Sequence, residues 1–177
     1  MLNIAIYGYG NLGKGVECAS RQNKDVCLTG IYTRRAPETL HTLTDVPVYA
    51  AKAVINHKDE IDVLIICGGS ATDLPNMTPN LAEHFNVLDS FDNHANIPRH
   101  FEAVDAAAKK GCHTALISAG WDPGMFSLSR LYSSAILPEG ERYTFGGRGG
   151  SQGQSDAIRR IEGVADARQY TVPSEEA

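Results

Sequence analysis

The sequence has no basic excess: 16 Lys and Arg stand against 21 Asp and Glu, for a formal net charge of -5. That argues against a nucleic-acid binder, which shows a basic face. Long hydrophobic runs are missing too; none approaches the roughly 18 residues of a membrane-spanning helix. The N-terminus enters a strand pattern directly, without the basic stretch and apolar plug of a secretory signal. Cys18, Cys27, Cys67 and Cys112 are scattered, with no C-x-x-C pair and no His–Cys spacing that suits zinc. They read as buried thiols of a cytoplasmic protein rather than as disulfides. The histidines are equally dispersed, so no metal site is expected, and there are no internal repeats. What remains is a globular chain of 177 residues, 42% of them hydrophobic, enough for the core of one domain or one and a half.

Within that chain, short β-rich runs alternate with helical stretches. Asn3–Tyr7, Val26–Thr33, Asp62–Cys67, Asn86–Asp89 and Thr114–Ser118 read as strands, and Pro47–Tyr49 as a shorter one. Leu12–Arg21, Ala51–His57 and Ile97–Lys110 read as helices. In the last of these, Ile97, Phe101, Val104 and Ala108 recur at helical spacing. Asp62–Cys67 is apolar on both faces, as a central parallel strand should be. Such alternation predicts an α/β fold with a doubly wound parallel sheet. After Ser118 the texture changes to a Gly- and Pro-rich loop, a helix over Leu128–Ile136, a glycine-dense stretch after Tyr143–Phe145, and a strand over Ala167–Val172.

The first strand runs into Gly8-Tyr9-Gly10-Asn11-Leu12-Gly13, a G-x-G-x-x-G frame placed between a strand and a helix, as a dinucleotide turn requires. Gly8 permits the tight turn, Gly10 lets the backbone approach a diphosphate, and Gly13 lets helix and strand pack closely. The helix N-terminus offers unpaired N–H groups and about half a positive charge to the anion. At the end of the second strand, where an NAD site usually carries Asp or Glu, stand Thr33, Arg34 and Arg35. Two guanidiniums and a hydroxyl suit a ribose 2′-phosphate. With charge-assisted hydrogen bonds contributing roughly 1.5–3 kcal/mol each, they predict a preference for NADP over NAD of about a hundredfold or more. The same three residues also suit a solvated basic turn. Gly68–Thr72 follows the most apolar strand, at the sheet edge where open α/β folds bind ligands, and suits an ordinary strand–helix loop equally well.

The stretches "IYGYGNLGKG", "GIYTRRA", "CGGSATDLP", "LDSFDNHANIPRHF", "LISAGWDPGMFSLSRLYSSAILPEG" and "SQGQSDAIRRIEGV" occur in this order along the chain. Together they resemble the meso-diaminopimelate dehydrogenases. The resemblance implies a Rossmann-type NADP-binding domain over residues 1–119. It also implies the start of an α+β substrate domain over residues 120–177, incomplete because the family's chain runs on. The implied activity is the reversible oxidative deamination of the D-centre of meso-2,6-diaminopimelate to L-2-amino-6-oxopimelate and ammonia, on the route to lysine, by a homodimer when full length. Tyr9, Gly10, Asn11 and Leu12 match the diphosphate turn, and Thr33, Arg34 and Arg35 the 2′-phosphate clamp. Cys67, Ser70, Ala71 and Thr72 match cofactor-lining positions, as do Ser90, Phe91 and Asp92. Trp121, Asp122, Pro123, Gly124 and Met125 continue the lining beside the nicotinamide. Gly146, Gln152, Gly153 and Thr171 match substrate-contacting positions.

Asp92 and Asp122 fall where the family uses carboxylates near the reacting centre. The chemistry agrees: a hydride goes to the nicotinamide ring, so no protein nucleophile is needed. The site must hold an ammonium-bearing carbon and take the amine's proton, which carboxylates do by charge pairing and proton acceptance. Taken singly, Asp92 also suits a cap and Asp122 a turn residue before Pro123.

Two positions depart from the pattern. Gly146 stands where the family's "TFWG" has tryptophan, which predicts a looser pocket, and Gln154 stands where "QGHSDA" has histidine. Two accounts of the length stay open. Either the sequence is part of a longer protein, or it stops at Ala177 and is a weak or silent catalyst that still binds NADP. A third reading, another small reductase of the same sheet type, lacks the combined "GWDPGMFS" and "SQG-SDAIRR" stretches.

Overall fold

The computed structural model describes residues 1–121, 124–140, 149–151, 155, 158–159 and 161–172. The chain divides into two compact units, Met1–Phe126 and Ser127–Ala177.

In the first unit, strands β1 (Leu2–Tyr7), β2 (Val26–Thr33), β3 (Val48–Ala50), β4 (Val63–Ile66), β5 (Val87–Asp89) and β6 (Ala115–Leu116) form one sheet. Their order is β3-β2-β1-β4-β5-β6 and every pairing is parallel. The expected α/β doubly wound sheet is therefore what the chain adopts. The order reverses between β1 and β4, which opens a crevice at their C-terminal ends, the place where such sheets take ligands.

Helix α1 (Asn11–Ser20) follows β1, α2 (Leu74–Ala82) follows β4, and α3 (Ile97–Gly111) follows β5. On one face of the sheet, Ala5, Leu64 and Ile66 pack with Leu74, Leu81 and Ala82 of α2 and with Val104, Ala107 and Ala108 of α3. On the other, Ile6 and Ile31 pack with Val16 of α1 and with Leu40 and Val46 of the β2–β3 connection. Both faces are thus covered, which is why β4 reads as an unbroken apolar run.

Three sequence expectations are corrected, and one helix, α2, was not anticipated. Ala51–Glu60 is a 3-10 stretch kinked at His57, not an α-helix. Helix α2 carries Pro75 near its start and Pro79 inside it, and the prolines hide its helical pattern. On α3, Phe101 is 56% exposed while His100 is buried in its place, because the His100 ring stacks on Phe91 and its Nε2 meets Asp89 at 2.7 Å. All four cysteines are free thiols, but Cys18 and Cys112 are exposed and Cys27 and Cys67 half-buried.

In the second unit, α4 (Met125–Ile136, whose first two residues belong to the first unit) precedes an antiparallel pair, β7 (Gly149–Ser151) with β8 (Gln169–Thr171). Helix and antiparallel strands give it α+β character. No helix among the described residues is long and apolar enough to cross a membrane.

Candidate functional site

The glycine turn sits at the C-terminal end of β1, against β4. Gly8 has φ +100°, and a Cβ there would lie 2.8 Å from the Cys67 carbonyl oxygen. A Cβ on Gly13 would lie 2.4 Å from the Gly8 carbonyl oxygen, so α1 can start this close to the strand only with glycine. Gly10 faces open space: nothing lies within 4 Å of a Cβ built on it. A side chain would project into the volume that an approaching diphosphate needs, whereas glycine leaves it clear. Gly10 caps α1 with no side-chain hydrogen bond, and the first turn carries no acidic residue. Its N–H groups and its partial positive charge are left for an anion. The exposed Asn11 and Leu12 begin this turn.

Tyr9 contributes backbone, not side chain. Its ring is buried, its hydroxyl donates to Glu17 Oε2, and its carbonyl accepts from Arg35 Nη2. Burial, reinforced by the Glu17 carboxylate, pushes the Tyr9 phenol up to about 12.

At the end of β2, Thr33 is buried and its hydroxyl accepts from the Arg35 N–H at 3.1 Å, so it shapes the turn that carries both arginines. Arg34 extends to the loop after β4. Its Nη1 and Nη2 donate to Asp73 Oδ1 and Oδ2 at 2.9 and 3.0 Å. The Arg34 hydrogen bonds, with one from the Gly69 N–H, hold the Asp73 carboxyl below the usual carboxylate range. A cavity of about 330 Å³ opens beside this pair, between Tyr7, Thr72, Asn76 and Asn80. A second cavity of similar size lies between Ser70, Ala71, Asn76, Phe91 and Arg99. Asn76 borders both, so the Gly68–Asp73 loop divides them.

Ser70 Oγ accepts the Asp92 N–H at 3.1 Å, which joins the loops after β4 and β5. Cys67 directly follows β4, half-buried, and burial pushes its thiol up to about 12, which does not suit a nucleophile. Ser90 and Phe91 stand on Asp89, which is fully buried. Asp89 Oδ1 accepts the N–H groups of Phe91 (3.1 Å) and Ser118 (2.9 Å). Its Oδ2 accepts from Thr78 Oγ1 and meets His100 Nε2, both at 2.7 Å. Its carbonyl takes the Ala119 N–H at 2.8 Å. Burial alone would raise this carboxyl, but the bonds from His100, Ser118, Thr78 and Phe91 together hold it low.

The loop after β6 is closed by Gly124, where φ is +141° and a Cβ would lie 1.8 Å from the Gly120 carbonyl oxygen. Trp121 and Met125 are exposed there, and the Trp121 ring stacks on Phe126 at 5.6 Å. Asp122, Pro123, Gly146, Gln152 and Gly153 lie outside the described residues, and Thr171 is described only as part of β8.

The structure thus gathers Gly8–Gly13, Thr33–Arg35, Cys67–Thr72 and Ser90–Asp92 along one end of one sheet. Sequence reasoning missed Asp73, Glu17 and Asp89. Asp73 stands before a Leu-Pro helix start, a signal for a cap and not for an arginine partner; Glu17 and Asp89 look like unremarkable acids until the fold buries them.

Residues 120–177 match the model of the diaminopimelic acid dehydrogenase C-terminal domain. The chain is 55% identical over 176 residues to the meso-diaminopimelate D-dehydrogenase of Ureibacillus thermosphaericus, covering 99% of this chain and 54% of that one. Along its whole length, it is similar to meso-diaminopimelate D-dehydrogenases. Among solved structures, the Corynebacterium glutamicum DAP dehydrogenase in complex with DAP superposes with a TM-score of 0.73 at 48% identity, covering 98% of this chain and 53% of that one. An engineered D-amino acid dehydrogenase bound to NADP+ gives 0.74 at 47% identity, covering 98% and 53%. The chain spans about half the length of these relatives.

Proposed function

We propose that the intact protein is an NADP-dependent meso-diaminopimelate D-dehydrogenase. It would oxidatively deaminate the D-centre of meso-2,6-diaminopimelate to L-2-amino-6-oxopimelate and ammonia, reversibly, in diaminopimelate and lysine biosynthesis. The observation that carries this reading is an open glycine turn with an arginine pair past β2, in a chain this similar to such dehydrogenases.

The residues fit the cofactor. The open face of Gly10 and the uncapped start of α1 suit a diphosphate, and Arg34 and Arg35 suit the 2′-phosphate. Ser70–Thr72 and Ser90–Asp92 would line the path across the crevice, and Trp121–Met125 would continue it. When bound, the nicotinamide accepts a hydride. Asp92 and Asp122 would pair with the substrate ammonium and take up its proton, directly or through water. Residues 120–177 would open the substrate domain, with Gly146, Gln152, Gly153 and Thr171 against the substrate, and residues 1–119 would hold the cofactor. We place the protein in the cytoplasm and expect a homodimer.

The test is NADP reduction by the intact protein, followed by the absorbance of the reduced nicotinamide, with meso-diaminopimelate and with its LL and DD isomers. Reduction with the meso form alone is expected. Tight NADP binding without turnover on any isomer would instead favour a silent NADP-binding module.

A further inference from the structure

The glycine turn and both arginines are accounted for by the reading above; the carboxylate of Asp73 is not. It stands beside Arg34, where a phosphate would have to come. Both of its oxygens face the guanidinium fork, at 2.9 and 3.0 Å, which is the bidentate geometry that Arg also offers to phosphate. Nor is the contact a chance meeting of two free side chains. Asp73 Oδ2 also accepts the Gly69 N–H at 3.1 Å, and the Asp73 N–H returns a bond to the Gly69 carbonyl at 2.8 Å. The loop after β4 therefore fixes the carboxylate, and Arg34 comes to it from β2. The pair lines a cavity that also holds Thr72 and Asn76.

We propose that Asp73 is a specificity-determining residue of the cofactor site: its carboxylate competes with the NADP 2′-phosphate for Arg34, and so limits the preference for NADP over NAD. This rests on the reading of the site as an NADP site. The Arg34 side chain is 66% exposed, so its pair with Asp73 is solvent-screened and weak enough for a phosphate to displace. NAD carries a neutral hydroxyl at the same place and does not contend for the guanidinium. Asp73 acts on the difference between the two cofactors and leaves their shared diphosphate alone.

The experiment is calorimetric titration of NADP and of NAD into the intact protein, comparing wild type, Asp73→Asn, Arg34→Ala and the double variant. Asparagine keeps the shape and can still accept the Gly69 N–H. In Asp73→Asn, NADP should bind roughly fivefold tighter, the scale of one exposed ion pair, while NAD changes little. Asp73→Ser, which also removes the charge, should shift NADP in the same direction. In the Arg34→Ala background the gain from Asp73→Asn should vanish. An NADP-to-NAD ratio that is unchanged or lower in Asp73→Asn overturns the proposal, and so does an equal gain without Arg34. Wild-type protein with no preference for NADP would overturn the cofactor reading itself.

Discussion

Glu17 is a carboxylate on α1 with no accessible surface, and among the described residues no cation pairs with it. Instead it gathers donors: the Tyr9 hydroxyl, the Thr44 hydroxyl and N–H, and the Leu43 N–H. Burial by itself would raise its pKa, but the bonds from Thr44, Tyr9 and Leu43 together outweigh burial and hold it low. The group fastens the side chain of Tyr9, in the middle of the glycine turn, to the β2–β3 connection. Replacing it with glutamine turns an amide N–H₂ toward donors that need an acceptor, a mismatch that costs roughly 2–3 kcal/mol. Because the folded pKa lies below the unfolded one, the charge stabilises the fold above the unfolded value, and that contribution is lost as pH falls through the folded value. Urea denaturation of the first unit should therefore show Glu17→Gln less stable at neutral pH, with the gap to wild type closing in acid. Coincident transitions at neutral pH would refute this account.

At the scale of elements, the sequence was legible where the signal is local. Strand β2 begins and ends where its run of Val26–Thr33 does, and the turn after β1 follows from the spacing of three glycines. It was not legible where one element's pattern is completed by another. Helix α3 buries His100 and not Phe101 because a partner for the imidazole waits at the end of β5, which hydrophobic periodicity does not register. Arg34 was readable as an anion binder, but its pairing with a residue 39 positions away depends on β2 and β4 both flanking β1. Asp89 is the strongest case of such completion. It bonds Thr78 on α2, His100 on α3, Phe91 after β5 and Ser118 after β6, so it fixes the two loops that lead to Asp92 and toward Asp122. Asp89→Ala leaves those buried donors unpaired at about 3–5 kcal/mol. Hydrogen exchange should show the Phe91 and Ser118 amides losing protection, while the Gly8 amide, bonded to the Tyr32 carbonyl at 2.8 Å, keeps its own. Uniform loss across all three would mean global unfolding and not a local hub.

The 177-residue chain carries a formal charge of -5, and the proposed cofactor is a polyanion. The net charge of these residues supplies no long-range attraction for it, and over more than about 10 Å at ordinary salt such fields are screened. Discrimination between NADP and NAD has to come from short contacts, and the described residues offer them past β2. Thr33 sets that turn, Arg35 ties it to the Tyr9 carbonyl, and Arg34 reaches across the crevice. Replacing both arginines with alanine should cost NADP affinity about a hundredfold, at roughly 1.5–3 kcal/mol for each charge-assisted bond. The same change should leave NAD within a few-fold, because the Gly8–Gly13 turn that suits the shared diphosphate is untouched, although Arg35 no longer braces Tyr9. Salt separates the contributions further. In the proposed site the extra charge of NADP would meet two exposed guanidiniums, so raising the salt should weaken NADP more steeply than NAD in wild type, and the two slopes should converge in the double variant. Parallel slopes in wild type, or an NADP preference that survives loss of both arginines, would move the discriminating contact elsewhere in the molecule.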